Sequence, residues 1–99
     1  MASVSLAGIR PLVTDHVTVG AGGTNTYTIS NNQLTKRLVV FHDANGNKVI
    51  YFSLDAAATT DDMPIVPGIY FVLEVEQGET LYLYNDGGTS IHVHVMEIR

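Results

Sequence analysis

Residues 69–98 read IYFVLEVEQGETLYLYNDGGTSIHVHVMEI. Apolar and polar side chains alternate through Thr80-Leu81-Tyr82-Leu83-Tyr84 and again through Ile91-His92-Val93-His94-Val95, the period of two that a strand with one buried face requires. Gln77-Gly78-Glu79 and Asp86-Gly87-Gly88 break the run into three strands. Parity assigns Ile69, Phe71, Leu73, Val75, Leu81, Leu83, Ile91, Val93 and Val95 to an inner face, and Tyr70, Val72, Glu74, Tyr82, Tyr84, His92 and His94 to an outer one. If the strands form a meander, three-residue loops set Leu73 opposite Leu83 and Leu83 opposite Ile91, keeping apolar against apolar. In a jelly roll, consecutive strands cross to the opposite sheet instead, and that alternative stays open.

The rest of the chain carries the same punctuation. Val, Ile, Thr, Tyr and Phe supply 37 of the 99 residues, in short runs separated by Gly, Asn, Asp and Pro, which is all-β patterning. Further strands are expected over Ser3–Ile9, Leu12–Val19, Thr24–Ser30, Arg37–His42 and Lys48–Leu54, beside Ile69–Glu76, Thr80–Tyr84 and Ser90–Ile98. The expected fold is therefore all-β, an antiparallel β-sandwich or jelly roll of about eight short strands in one domain spanning 1–99, with 1–13 as an N-terminal arm anchored by Val4, Leu6 and Ile9. Asn45-Gly46 suits a type I′ hairpin. That turn would set Phe41 opposite Ile50 and Val39 opposite Phe52, leaving Leu38, Val40, His42, Val49 and Tyr51 as a second apolar face available for an interface.

Composition excludes several function classes. There is no cysteine, which removes disulfides, thiol nucleophiles and thiolate metal sites. The net charge of -5 divides into +2 over residues 1–50 and -7 over 51–99, and the one adjacent basic pair is Lys36-Arg37, so direct nucleic-acid binding is not expected. No apolar run reaches the length of a membrane span. Met1 to Arg10 has no basic start followed by an apolar stretch, so the reading is a protein made inside the cell and not exported.

Motifs for catalysis are missing as well. Gly20-Ala21-Gly22-Gly23 lacks the Lys-Ser or Lys-Thr of a phosphate-binding loop, and no serine sits in a Gly-x-Ser-x-Gly elbow, so no enzyme and no cofactor are expected. Asp43-Ala44-Asn45-Gly46-Asn47 has its glycine in the wrong place for a calcium loop, and Asp55, Asp61 and Asp62 read as an acidic surface loop. His92-Val93-His94 puts two imidazoles on one side of a strand, a spacing able to chelate a transition metal. With Glu97 it is similar to part of the cupin metal motif, but Glu97 follows too closely and on the opposite parity, and no later third histidine exists. The surface reading of these histidines is favoured, with His92 and His94 kept as metal candidates. Tyr70, Tyr82, Tyr84 and His92 form the second expected interface, because tyrosine combines apolar area with a polar tip.

The second half resembles small β-sandwich virion structural proteins of tailed bacteriophages, of the head decoration or cement type. The likeness lies in the order of Val49-Ile50-Tyr51-Phe52, the loop Ala58 to Ile65, Pro67-Gly68, Gly78-Glu79-Thr80-Leu81-Tyr82-Leu83-Tyr84 and the terminal Val93-His94-Val95-Met96-Glu97. The resemblance implies a homo-oligomer, a trimer in the first instance, that binds the major capsid protein on the head surface after assembly in the host cytoplasm. The alternatives are a tail or fibre accessory module that binds a glycan or a protein, and a cupin-like metal-binding domain.

Overall fold

The computed structural model describes residues 11–43 and 49–99. The expected strand Ser3–Ile9, the arm anchors Val4, Leu6 and Ile9, and the Asn45-Gly46 turn lie outside the described residues. Eight antiparallel strands are present: β1 (Val13–Val19), β2 (Thr24–Thr28), β3 (Arg37–His42), β4 (Ile50–Ser53), β5 (Met63–Ile65), β6 (Tyr70–Glu74), β7 (Thr80–Asn85) and β8 (Ile91–Ile98). They form two four-stranded sheets, sheet I in the order β1-β8-β3-β6 and sheet II in the order β2-β7-β4-β5. Chain order thus alternates between the sheets everywhere except from β4 to β5, which is a jelly-roll topology. The expected all-β, two-sheet architecture is the one found.

The parity expected along residues 69–98 is found except at Ile69, which is exposed because it closes the Val66–Ile69 turn and β6 begins only at Tyr70. Leu81, Leu83, Ile91, Val93 and Val95 are buried, and they share one core with Val17, Val19, Leu38, Val40, Ile50 and Ile65 from the other strands. Each such side chain contributes about 1.5–3 kcal/mol by leaving water. Phe52 of sheet II stacks on Phe71 of sheet I with ring centroids 4.7 Å apart, closing the interior between the β4 and β6 positions.

Strand pairing differs from the expected meander. β6 pairs with β3, β7 with β2 and β4, and β8 with β1 and β3, so Leu73 lies opposite Leu38, while Leu83 lies opposite Asn25 and Phe52. The β3–β4 hairpin is likewise absent: Phe41 sits opposite Tyr70 and His94, and Phe52 opposite Met63 and Leu83.

Turn chemistry explains part of this. In Val66-Pro67-Gly68-Ile69 the Ile69 N–H donates to the Val66 carbonyl at 3.3 Å, and Gly68 has φ 79°. Glu76-Gln77-Gly78-Glu79 repeats the pattern, with Glu79 N donating to Glu76 O at 3.2 Å and Gly78 at φ 79°. Gly20-Ala21-Gly22-Gly23 does so a third time, at 2.9 Å with Gly22 at φ 63°. Proline at the second place and a positive-φ glycine at the third mark type II turns. Type II turns splay the strands that flank them, whereas hairpins need the primed types. All three turns join a strand of one sheet to a strand of the other. Strand β5 was not expected, because three residues with a central proline, Met63-Pro64-Ile65, show neither alternation nor β-branched enrichment.

Gly78 has no heavy atom within 4 Å of a built Cβ, so only its φ of +79° forbids a side chain. Gly78→Ala is expected to lose about 1–3 kcal/mol. Gly20→Ala, equally open and without a positive φ, is expected to stay near wild type. Urea unfolding of both variants checks this, and equal losses would remove the turn argument.

Candidate interaction surfaces

The residues expected to form the first interface do not form one. Leu38 and Val40 are fully buried in the core, and His42 is buried on the same side of β3, with its Nδ1 2.8 Å from the Asp43 carbonyl. The expectation rested on a β3–β4 hairpin having two free faces; with β3 central in sheet I, this parity points between the sheets. Val49 is half-buried just before β4. Tyr51 lies instead on the outer face of sheet II, directly opposite Tyr84.

The second expected group is divided between the sheets. Tyr82 and Tyr84 are half-buried on the outer face of sheet II. Tyr51 and Tyr84 rings stand 6.4 Å apart. Tyr84 donates its hydroxyl to Asp86 Oδ1 at 3.2 Å, and accepting that bond the carboxylate pushes the Tyr84 phenol above its ordinary value. Tyr70 and His92 belong to the outer face of sheet I, on the other side of the molecule.

Sheet I carries a row that sequence parity alone did not assemble. His16 of β1 lies opposite His94 of β8, His94 opposite Phe41 of β3, and Phe41 opposite Tyr70 of β6, so each strand contributes one ring. Ring centroids are 6.0 Å apart for His16 and His94, 5.8 Å for His16 and His92, and 6.1 Å for Phe41 and His94. Thr18 Oγ1 is 3.1 Å from His92 Nδ1. His94 Nε2 is 3.8 Å from Asp43 Oδ2. His16 had no visible partner in the sequence because the pairing of the first sheet strand with the last is a long-range fact. Among the described residues no group of three or more His, Cys, Asp or Glu is placed to hold a metal ion. The acidic loop closes on itself, Asp62 Oδ2 accepting the Thr59 N–H at 2.7 Å.

The exposed apolar residues are concentrated. Of the seven large ones among the described residues, Met63, Val66, Ile69, Tyr70 and Val72 lie on β5, β6 and the turn between them. A shallow solvent-open depression near the β2–β3 and β6–β7 connections has a mixed polar lining that includes Lys36, Arg37, Glu74, Glu76 and Glu79.

One buried charge was missed. Glu97 is fully buried at an inward position of β8, where Ile91, Val93 and Val95 precede it. Its Oε2 accepts the Ser30 N–H at 3.1 Å, the Ser30 hydroxyl at 2.9 Å and the Tyr27 hydroxyl, while Oε1 accepts the Thr35 hydroxyl at 2.8 Å. Burial alone pushes this carboxyl up, but the bonds from Tyr27, Thr35 and Ser30 outweigh it and hold Glu97 below the ordinary glutamate value. For Tyr27, burial followed by its bond to Glu97 drives the phenol far above its usual range. The available signal was the parity that separates Glu97 from His92 and His94.

No family model and no curated protein sequence matches the chain. Solved structures do. A de novo designed double-stranded β-helix is similar with a TM-score of 0.60 at 18% identity, over 86% of this chain and 97% of that one. A protein described as a predicted oxalate decarboxylase from Thermotoga maritima is similar with a TM-score of 0.52 at 15% identity, over 91% of this chain and 66% of that one. The polyketide cyclase RemF from Streptomyces resistomycificus is similar with a TM-score of 0.52 at 12% identity, over 91% of this chain and 63% of that one. These likenesses establish the fold, a double-stranded β-helix or jelly roll.

A carboxyl held below its ordinary value stabilises the fold above the unfolded-state pKa, and that contribution is lost as pH falls through the folded-state value. Glu97→Gln should therefore cost about 1–3 kcal/mol at pH 7 and nearly nothing once the wild-type carboxyl is protonated. Urea unfolding across the acid range measures it; a variant as stable as wild type at pH 7 would rule out the charge-assisted clamp.

Proposed function

We propose that the chain is a non-enzymatic structural protein of a bacteriophage particle, a decoration protein that associates with copies of itself and with a capsid lattice. The observation that carries the reading is the contrast between inside and outside. Apolar side chains from both sheets form one core among the described residues, while exposed apolar side chains gather on one edge. A gathered apolar surface on a small soluble domain marks an interaction site. The phage assignment rests on the resemblance of the second half's sequence motifs to head decoration proteins. Modest contacts repeated over a lattice add through avidity.

The deciding experiment is copy number on purified particles, by densitometry against the major capsid protein and by cryo-EM. Many copies over the head are expected. Absence from particles, or a handful of copies at the tail, would overturn the proposal.

A metal-binding domain is the second reading. Its support is the nearness of His92 and His94 to His16 on one face. Against it stands the lack, among the described residues, of any three such groups placed to hold a metal ion. Zinc titration of untagged protein separates the two. Stoichiometric binding lost in His92→Ala and His94→Ala would support a metal domain, and no binding would end it.

A further inference from the structure

We infer that β6 is a pairing edge, and that a second copy of this chain docks on it antiparallel about Val72 to make one continuous eight-stranded sheet. The inference deepens the self-association in the proposed function and rests on that part of it.

Each sheet has two edges, and three of the four are blunted. β5 is three residues long with Pro64 at its centre, where no N–H is available for a ladder. β2 reads Thr-Asn-Thr-Tyr-Thr with four of five side chains exposed, a polar strand with little to bury. β1 carries exposed Asp15 on the parity of Val17 and Val19, an inward-parity charge of the kind that discourages edge pairing. β6, Tyr70-Phe71-Val72-Leu73-Glu74, has no proline and no lysine, and among the described residues it pairs only with β3. Tyr70 is 62% exposed and Val72 45%.

Backbone parity shows which groups are available. His42 N donates to Ile69 O at 3.2 Å and Val75 N donates to Lys36 O at 3.0 Å, at the two ends of the β3–β6 ladder. Antiparallel ladders alternate, so Phe71 and Leu73 are the residues bonded to β3. The N–H and C=O groups of Tyr70, Val72 and Glu74 point away from it.

A second copy of this same strand satisfies them best when Val72 sits on the two-fold axis. Val72 then faces Val72 of the copy, and Tyr70 faces Glu74 of the copy twice over, giving about six backbone hydrogen bonds. The tyrosine hydroxyl meets a carboxylate, and the two Glu74 side chains stand apart at opposite ends of the contact. Within each chain Glu74 lies opposite Arg37 in the register, whose guanidinium donates to the Arg99 carbonyl, and neither copy's Glu74 lies on the axis. The outer-face Tyr70 and Val72 side chains of both copies merge into one apolar strip, as an isologous interface requires.

Sedimentation or light scattering of the wild-type protein should give about twice the 10.7 kDa chain mass. Val72→Pro removes an N–H that points away from β3, so it should keep the β-sheet spectrum while weakening dimerisation about tenfold or more. The chain has no cysteine, which permits a positive test that does not depend on that variant folding. In Val72→Cys the two introduced thiols lie with Cα atoms about 5.5 Å apart across the axis, inside disulfide range, and mild oxidation should convert most of the protein to a covalent dimer. Thr26→Cys, on the polar β2 edge, should not. A wild-type monomer at high micromolar concentration, a wild-type trimer, or Val72→Cys cross-linking no faster than Thr26→Cys would overturn the contact. A monomer that is still abundant on phage heads would overturn this contact alone and leave the decoration reading standing.

Discussion

Everything in the molecule depends on one layer of side chains shared by two sheets. A chain of 99 residues without cysteine can build a stable interior only if nearly every strand turns its apolar parity toward the same plane. The jelly-roll order does this by sending successive strands to opposite sheets, so that Val93 of sheet I and Leu83 of sheet II, neighbours in the chain, enter one core. Positive-φ glycines 22, 68 and 78 make this possible, because they sit at three of the crossings between sheets. Their type II geometry favours splaying over hairpin return.

Polar groups enter that interior only where they close its ends. Glu97 draws its donors from β2, from Ser30 just after it and from Thr35 before β3, tying the connection between the sheets to β8. At the other end Asn85 is fully buried. It donates to the carbonyls of Val19 and Thr89 at 3.0 and 2.7 Å and accepts from Gly87 N at 2.8 Å. Both side chains occupy inward parity positions and both are fully partnered, which is the condition for burying polar atoms without loss. The carboxylate has hydroxyls and an amide around it and no cation among its bonded partners. Its charge is held by hydrogen bonding, and this is why it titrates low in spite of burial.

Face assignment was legible in the sequence, and pairing was not. Alternation alone placed Leu81, Leu83, Ile91, Val93 and Val95 inside and His92 and His94 outside, since side-chain direction is a local property of a strand. Partner choice is not local. The meander and the jelly roll bury the same residues, so parity cannot separate them; the turn type can, and a glycine at the third turn position with proline before it was the readable sign at 66–69. The interface expected from Leu38, Val40 and His42 failed for the same reason, since the second sheet covers the one face of β3 that carries these residues. The His16–His94–Phe41–Tyr70 row depends on contacts between residues as much as 78 positions apart in the chain, beyond the reach of any local pattern.

This division has a consequence for where function resides. Inward positions of a small jelly roll are committed to holding the two sheets together, and here Glu97 and His42, the titratable groups buried there, sit toward opposite ends of β3: Glu97 opposite Leu38, His42 opposite Val93. What remains free to vary is the outside: one sheet face crossed by a ring from each strand, another bearing three tyrosines, and an edge where the usual guards against strand addition are missing. β6 carries neither the central proline of β5 nor the inward-parity charge of β1; its one charged residue, Glu74, lies at its end on the outer parity. This edge is the part of the structure whose sequence stability leaves unexplained, and the proposed self-association would give a physical reason for keeping it.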